Sequence, residues 1–223
     1  MLTSWFNMAL ATIVALLPIT NPVSTAALFM SITAKDSLDE RKQQALRGVI
    51  YTFGILTVFL IAGTLIMRFF GISIPGLRIA GGVMVIRIAM SMLKAENGGV
   101  EKETEMEARQ KQDISFTPLA MPSLSGPGAI AVTIGLSAGT RQWLDYTAII
   151  FGILVVVVVA FITLRMSDRI LNFFGTTGIN ALSKIMGFLL LCVGIQFIIN
   201  ATISIAVSEE VVSRLLETIQ TSQ

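Results

Sequence analysis

Two apolar segments carry the residues that could hold a small molecule. The first reads Leu17-Pro18-Ile19-Thr20-Asn21-Pro22-Val23-Ser24-Thr25-Ala26, and the second Met121-Pro122-Ser123-Leu124-Ser125-Gly126-Pro127-Gly128-Ala129. Proline inside a helix removes a hydrogen bond and clashes with the preceding turn, so each segment frees backbone groups within apolar sequence. A helix restarting after such a break offers N–H groups at a positive dipole end, suited to an anion or carboxylate. Thr20, Asn21 and Thr25 in the first segment, and Ser125 beside Gly126-Pro127-Gly128 in the second, add amide and hydroxyl groups. Ser24 and Ser123 add two more hydroxyls. A pair of interrupted helices in corresponding halves points to a transporter's binding site, whereas a single proline kink serves packing. The candidate binding set is Thr20, Asn21, Pro22, Thr25, Ser125, Gly126, Pro127, Gly128 and Gln196.

The elements that must position these residues follow from composition. The chain has 223 residues, 54% of them hydrophobic and 13% charged. Soluble domains carry about 25% charged residues, so this balance suits a chain solvated by lipid. There is no histidine, and Cys192 is the only cysteine. Zinc sites of the usual kind, a Ser-His-Asp triad and an intrachain disulfide are thereby excluded. With no carboxylate deep in any apolar segment, the chain reads as a non-enzyme with no metal and no cofactor. Its amino terminus lacks the basic residues of a signal peptide, so the first apolar segment reads as a membrane span.

About 20 apolar residues cross a bilayer. Spans are expected near 5–34, 47–69, 72–93, 115–139, 144–165 and 181–206. The first, at 1.5 Å per residue, would reach about 45 Å as a straight helix and is expected to break near Thr20-Asn21-Pro22. Between the spans lie a charged loop at 35–46 and a longer polar linker at 94–114. The halves also echo one another. Pro22 and Pro127 are 105 residues apart, while Arg78 and Lys184, like Gly81 and Gly187, are 106 apart. Three spans per half invert the second relative to the first. The expected fold is thus all-α and polytopic: residues 1–93 form one three-span repeat, 94–114 a cytoplasmic linker, 115–206 a second repeat and 207–223 a polar tail.

Lysine and arginine concentrate in the connections after spans one, three and five, which places those on the cytoplasmic side and both termini outside. The glycines at 71, 76, 81, 82, 187 and 194 suit close helix packing. Arg87 lies about 10 Å along a helix from Lys94; it either snorkels to the surface or points into a polar cavity. Gln196 and Asn200 share a helix face and either line a cavity or bond between helices.

These motifs resemble those of the MarC family of bacterial inner-membrane proteins. The resemblance is carried by Asn21-Pro22, by Gly71-Ile72-Ser73-Ile74-Pro75-Gly76 through Gly81-Gly82, by Pro118 and Pro122 followed by Gly126-Pro127-Gly128, and by Met186-Gly187-Phe188 through Gln196 and Asn200. It implies a six-span protein of the plasma membrane, distantly similar in plan to the exporter superfamily typified by the lysine exporter, and names no substrate. Arg87 is not part of that pattern. The combined expectation is a secondary transporter, an exporter of a small polar or amphipathic metabolite. Its partners would be the lipid bilayer and that solute, with no nucleic acid and a homo-oligomer left open. The rival expectation is a non-transporting scaffold or regulatory subunit that binds a protein partner.

Overall fold

A computed structural model describes residues 2–94, 113–138, 140 and 142–207. Most of these residues are helical, and no strand is found among them. The segments are α1 (Leu2–Thr20), α2 (Pro22–Ile32), α3 (Leu38–Phe69), α4 (Ile74–Lys94), α5 (Ser115–Leu124), α6 (Pro127–Ala138), α7 (Trp143–Arg165) and α8 (Ser167–Ala206). Five stretches are long and apolar enough to cross a membrane: Thr3–Ile32, Leu38–Phe69, Ile74–Lys94, Trp143–Arg165 and Thr177–Ala206. The pair α5 and α6, bent by 62°, is a sixth if it counts as one span. Most of the expected linker 94–114 and tail 207–223 falls outside the described residues.

Two expected loops are helical, each for a local reason. Residues 38–46 belong to α3, because Ser37 starts that helix with a capping box: Glu40 N–H donates to Ser37 Oγ (3.3 Å), and Ser37 N–H donates to Glu40 Oε2 (2.8 Å). The charged turns of this helix exceed what about 30 Å of hydrocarbon can hold and project beyond it. Residues 167–180 belong to α8, which starts at Ser167 and is interrupted only at Gly175. There φ is 62°, a left-handed setting that glycine adopts without steric cost, and the spanning part of α8 begins at Thr177.

The packing defines two ends of the bundle. At one, Trp5 Nε1 donates to Thr147 Oγ1 (3.0 Å) and the Trp5 ring packs at a tilt of 44° against Phe151, joining α1 to α7. At the other, Arg41 pairs with Asp168 (3.4 Å) and Arg47 with Asp113 (3.1 Å). Between them the core holds Leu16, Phe29, Leu56, Leu60, Leu119, Leu124, Ile149 and Ile153, all fully buried. Val14, Val58, Ile61, Leu65, Leu154, Val158 and Ile162 face outward. On a soluble protein such a belt would demand a partner; on a polytopic chain it meets lipid.

α4 and α8 pack most extensively of all pairs, and they cross where side chains are absent. A Cβ built on Gly82 would lie 2.7 Å from the Gly194 carbonyl oxygen, and one on Gly194 2.9 Å from that of Gly82. Without a hydrophobic force between helices in lipid, such backbone contact is a main source of association. Gly82→Ala is therefore expected to lower stability by about 1–3 kcal/mol through overpacking. Gly54→Ala, where nothing lies within 4 Å, should be neutral or stabilising. Thermal unfolding of both purified variants in detergent tests this contrast; equal midpoints would show that the crossing tolerates a methyl group.

Candidate functional site

The first interruption is a single residue. Pro18 lies within α1 and cannot donate to the preceding turn. Asn21 then takes φ 37°, ψ 67°, the left-handed region that asparagine tolerates better than most side chains. α2 restarts at Pro22, whose fixed φ suits a first helical position. The Asn21 side chain serves both helix and neighbours. Its Oδ1 accepts from Ser24 N–H (3.4 Å), while Nδ2 donates to Ser24 Oγ (2.8 Å) and approaches Met92 Sδ of α4 (3.5 Å). Ser24 Oγ in turn lies 2.9 Å from Ser183 Oγ of α8. One asparagine thus ties α2 to α4 and, through a serine pair, to α8.

The second interruption is built differently. α5 is wound widely, with Leu119 N–H donating to Ile114 O (3.1 Å) and Ser125 N–H to Ala120 O (2.8 Å), each across five residues. Thr117 and Met121 are extended, as residues before proline tend to be. Ser125 Oγ donates back to Ala120 O (2.8 Å), so this fully buried hydroxyl closes the turn. Gly126 passes so close to the Pro122 carbonyl that a Cβ would stand 2.6 Å from it. α6 then starts at Pro127.

Both interruptions border one cavity of about 410 Å³. From the first come Thr20, Asn21, Ser24 and Thr25; from the second come Pro122, Ser123, Gly126, Pro127 and Gly128. α4 closes it with Met84, Arg87, Ile88, Ser91 and Met92, positions that recur on one helix face. Of the nine residues expected from sequence, Thr20, Asn21, Thr25, Gly126, Pro127 and Gly128 meet here. Pro22 and Ser125 lie behind the lining and shape the chain. The hydroxyls of Thr20 and Thr25 bond to carbonyls of their own segment, at Leu17 and Asn21. Gln196 is elsewhere: its Nε2 donates to Asn200 Oδ1 (2.9 Å) on α8. The sequence set omits the α4 wall. Arg87 was visible as the deepest charge of its span, but nothing in the sequence distinguishes a cavity position from a snorkelling one.

Asn200 borders a second cavity, of about 440 Å³, lined also by Ala15, Arg78, Ala131, Val132, Gly135, Leu136, Phe197, Ile203 and Ser204. Three helices line both cavities. On α6 the lining passes from Gly128 to Ala131, and on α1 from Ala15 to Ile19. Those steps are about 4.5 and 6 Å along a helix, and the step on α4 from Arg78 to Met84 is about 9 Å, so roughly one to two turns separate the two spaces. The partition there is tight. A Cβ on Gly128 would meet Val85 Cγ2 at 2.6 Å and Ile19 Cγ2 at 3.4 Å, and one on Gly81 would meet the Ala131 Cβ at 2.5 Å. Leu16, Val85 and Ala129 around it are fully buried. The second cavity lies toward the Trp5 end of the bundle and the first toward the Arg41 end, because Arg78 opens α4 and Met92 nearly closes it.

Amphiphilic cavities enclosed by apolar spans define a polytopic integral membrane protein. The chain matches the family model described as MarC family integral membrane protein over residues 6–206. It is 42% identical over 205 residues to the inner membrane protein MarC of Escherichia coli (strain K12), covering 86% of this chain and 93% of that one. The protein of the same name from Citrobacter koseri is 41% identical with the same coverage. The chain therefore belongs to the MarC family. No solved structure matches it.

Asn21 supplies both the left-handed turn and the cap, contributions of about 1 kcal/mol each. Asn21→Ala loses both, whereas Asn21→Gly keeps the turn. Thermal unfolding of the two variants should accordingly rank the alanine variant below the glycine one. The reverse order would mean that backbone conformation at this position contributes nothing.

Proposed function

We propose that this protein is a secondary transporter, an exporter of a small polar or amphipathic metabolite, working by alternating access. The observation that carries this reading is the pair of cavities set back to back. Each is large enough for a small molecule, since such sites span about 300–1,000 Å³. They approach from opposite ends of the bundle and share the walls α1, α4 and α6. A solute held at Asn21 and Gly126–Gly128 needs only about one to two turns of packed side chains to rearrange before it faces the other space. A membrane scaffold has no use for such a partition.

The two halves support the same reading. Each has an interrupted segment, a long helix and a helix crossed at glycines: α1–α2, α3 and α4, then α5–α6, α7 and α8. α1 begins beside Thr147 at the Trp5 end, while α5 begins beside Gly48 and Asp113 at the opposite end. That opposed start is what an inverted repeat requires, with the two interruptions as equivalent parts near the midplane. Lys35, Arg41, Lys42, Arg47, Lys94, Arg165 and Arg169 flank the Arg41 end. Positive charge accumulates on the cytoplasmic side, so the cavity at Asn21 is the inner one and both termini face the periplasm. The E. coli relative is named an inner membrane protein, and we assign this chain to that membrane too. No part of this mechanism requires a catalytic residue, metal or cofactor.

Two measurements test the reading. Proteoliposomes loaded with a metabolite panel and given an outward gradient should release at least one solute. Met84→Trp, which fills the inner cavity, should cut that release ten-fold or more while leaving the unfolding midpoint near the original. If the intact protein moves nothing under any gradient, the transporter reading is lost; unaltered release from the tryptophan variant would move the route elsewhere. For topology, alkaline phosphatase fused after Gln223 should be active and a green fluorescent protein fusion dark. A bright fluorescent fusion would reverse the orientation.

A further inference from the structure

Each cavity has one ionisable side chain, and in both it is an arginine of α4: Arg87 in the inner, Arg78 in the outer. Among the described residues no carboxylate lines either space. The ion pairs among the described residues join Arg41 to Asp168, Lys42 to Asp39 and Arg47 to Asp113, so neither cavity arginine belongs to one. A guanidinium keeps its positive charge in proteins, and its planar fork fits carboxylate and phosphate oxygens. Within a membrane-spanning helix such a charge is costly unless it is paired or hydrated. Among the described residues neither cavity holds a partner of opposite sign, so a cationic solute would meet repulsion from the arginine in each.

The remaining walls describe the rest of the solute. Along α4, Ser91 and the apolar Ile88 flank Arg87 in the inner cavity, and the apolar Ile19 of α1 and Leu28 of α2 complete its lining. In the outer cavity Arg78 lies across α6 at Gly135, where its Nε would be 3.9 Å from an added Cβ, next to apolar Leu136. We propose that the transported solute is an amphipathic organic anion. Its carboxylate or phosphate head pairs with Arg87 in the inward-open state and with Arg78 in the outward-open one. This assignment rests on the transporter reading above and adds the charge of the substrate to it.

The test uses purified full-length protein in nanodiscs of phosphatidylcholine, with hexanoate and hexyl phosphate as anions and hexylamine and hexanamide as matched controls. Calorimetric titration should show the anions binding at least ten-fold more tightly than hexylammonium, with affinity falling as salt rises. Arg87→Gln should weaken anion binding ten-fold or more, and Arg87→Lys should retain part of it. Equal binding of hexanoate and hexylammonium overturns the proposal, as does anion binding unchanged in Arg87→Gln. A parallel set of nanodiscs with phosphatidylglycerol separates a lipid headgroup from a free anion. If Arg87 matters only there and hexanoate never binds, the arginine holds lipid and the proposal fails. Arg87-dependent anion binding without flux in proteoliposomes supports the anion site and removes the transporter reading. Flux of neutral or zwitterionic solutes alone, undiminished in Arg87→Gln, does the opposite.

Discussion

The two interruptions within the spans are governed by the need to satisfy backbone N–H and C=O groups where lipid offers no partner. The interruption at Asn21 shows how little deviation that constraint allows. One residue leaves the helical region, and its N–H still donates to Leu17 O (3.2 Å) while its carbonyl accepts from Thr25 N–H (3.1 Å). The side chain takes over the capping that water would otherwise provide. The same amide then reaches Met92 and Ser24, so the group that repairs the break also joins helices. The polar lining of the inner cavity is in this sense a by-product of repairing the backbone.

The second interruption meets the same constraint with other means. Two prolines in α5 remove donors at 118 and 122, and the wide five-residue hydrogen bonds together with the Ser125 hydroxyl restore closure around them. A 62° bend results, and the carbonyl of Pro122 comes close to Gly126. The interruptions are therefore chemically unlike: an asparagine that is polar toward the cavity faces a glycine-proline turn whose polar groups are largely spent on itself. The polar groups still turned toward the inner cavity are thus those of Asn21, Ser24 and the α4 wall more than those of α5.

How much of this was legible in the sequence depends on the range of the interaction. Membrane-spanning segments follow from summed hydropathy, and the apolar stretches were located to within a few residues at most ends. Charge suggests a break at 35–46, and the gap between the expected spans 144–165 and 181–206 suggests another, yet both are largely helical. A capping box at Ser37 and Glu40, and a helix before Gly175, continue the winding into the aqueous edge. Pro22, Ser125 and Gln196 were grouped with the site by type and proximity. Type does not tell whether a hydroxyl faces a cavity or its own carbonyl, nor around which side of α8 an amide turns. Arg87 illustrates the other failure: its depth was plain, but the cavity beside it exists only once α2, α4 and α6 are assembled.

The partition between the cavities is where stability and movement meet. Its contacts are apolar and closely packed, with Gly128 under Val85 and Ile19 and Gly81 against Ala131. Such contacts are individually weak and carry no hydrogen bonds that must be exchanged. If the protein is the transporter proposed above, separating them exposes apolar side chains to water at a cost proportional to area, over a layer only about one to two turns thick. By contrast α4 and α8 meet through backbone at Gly82 and Gly194, where sliding would bring carbonyls and methylenes into collision. α4 is thus better suited to moving with α8 as one body, away from α6 and α1, than to moving alone. The two arginines would then travel with the same body, one turning away from its cavity as the other turns toward its own.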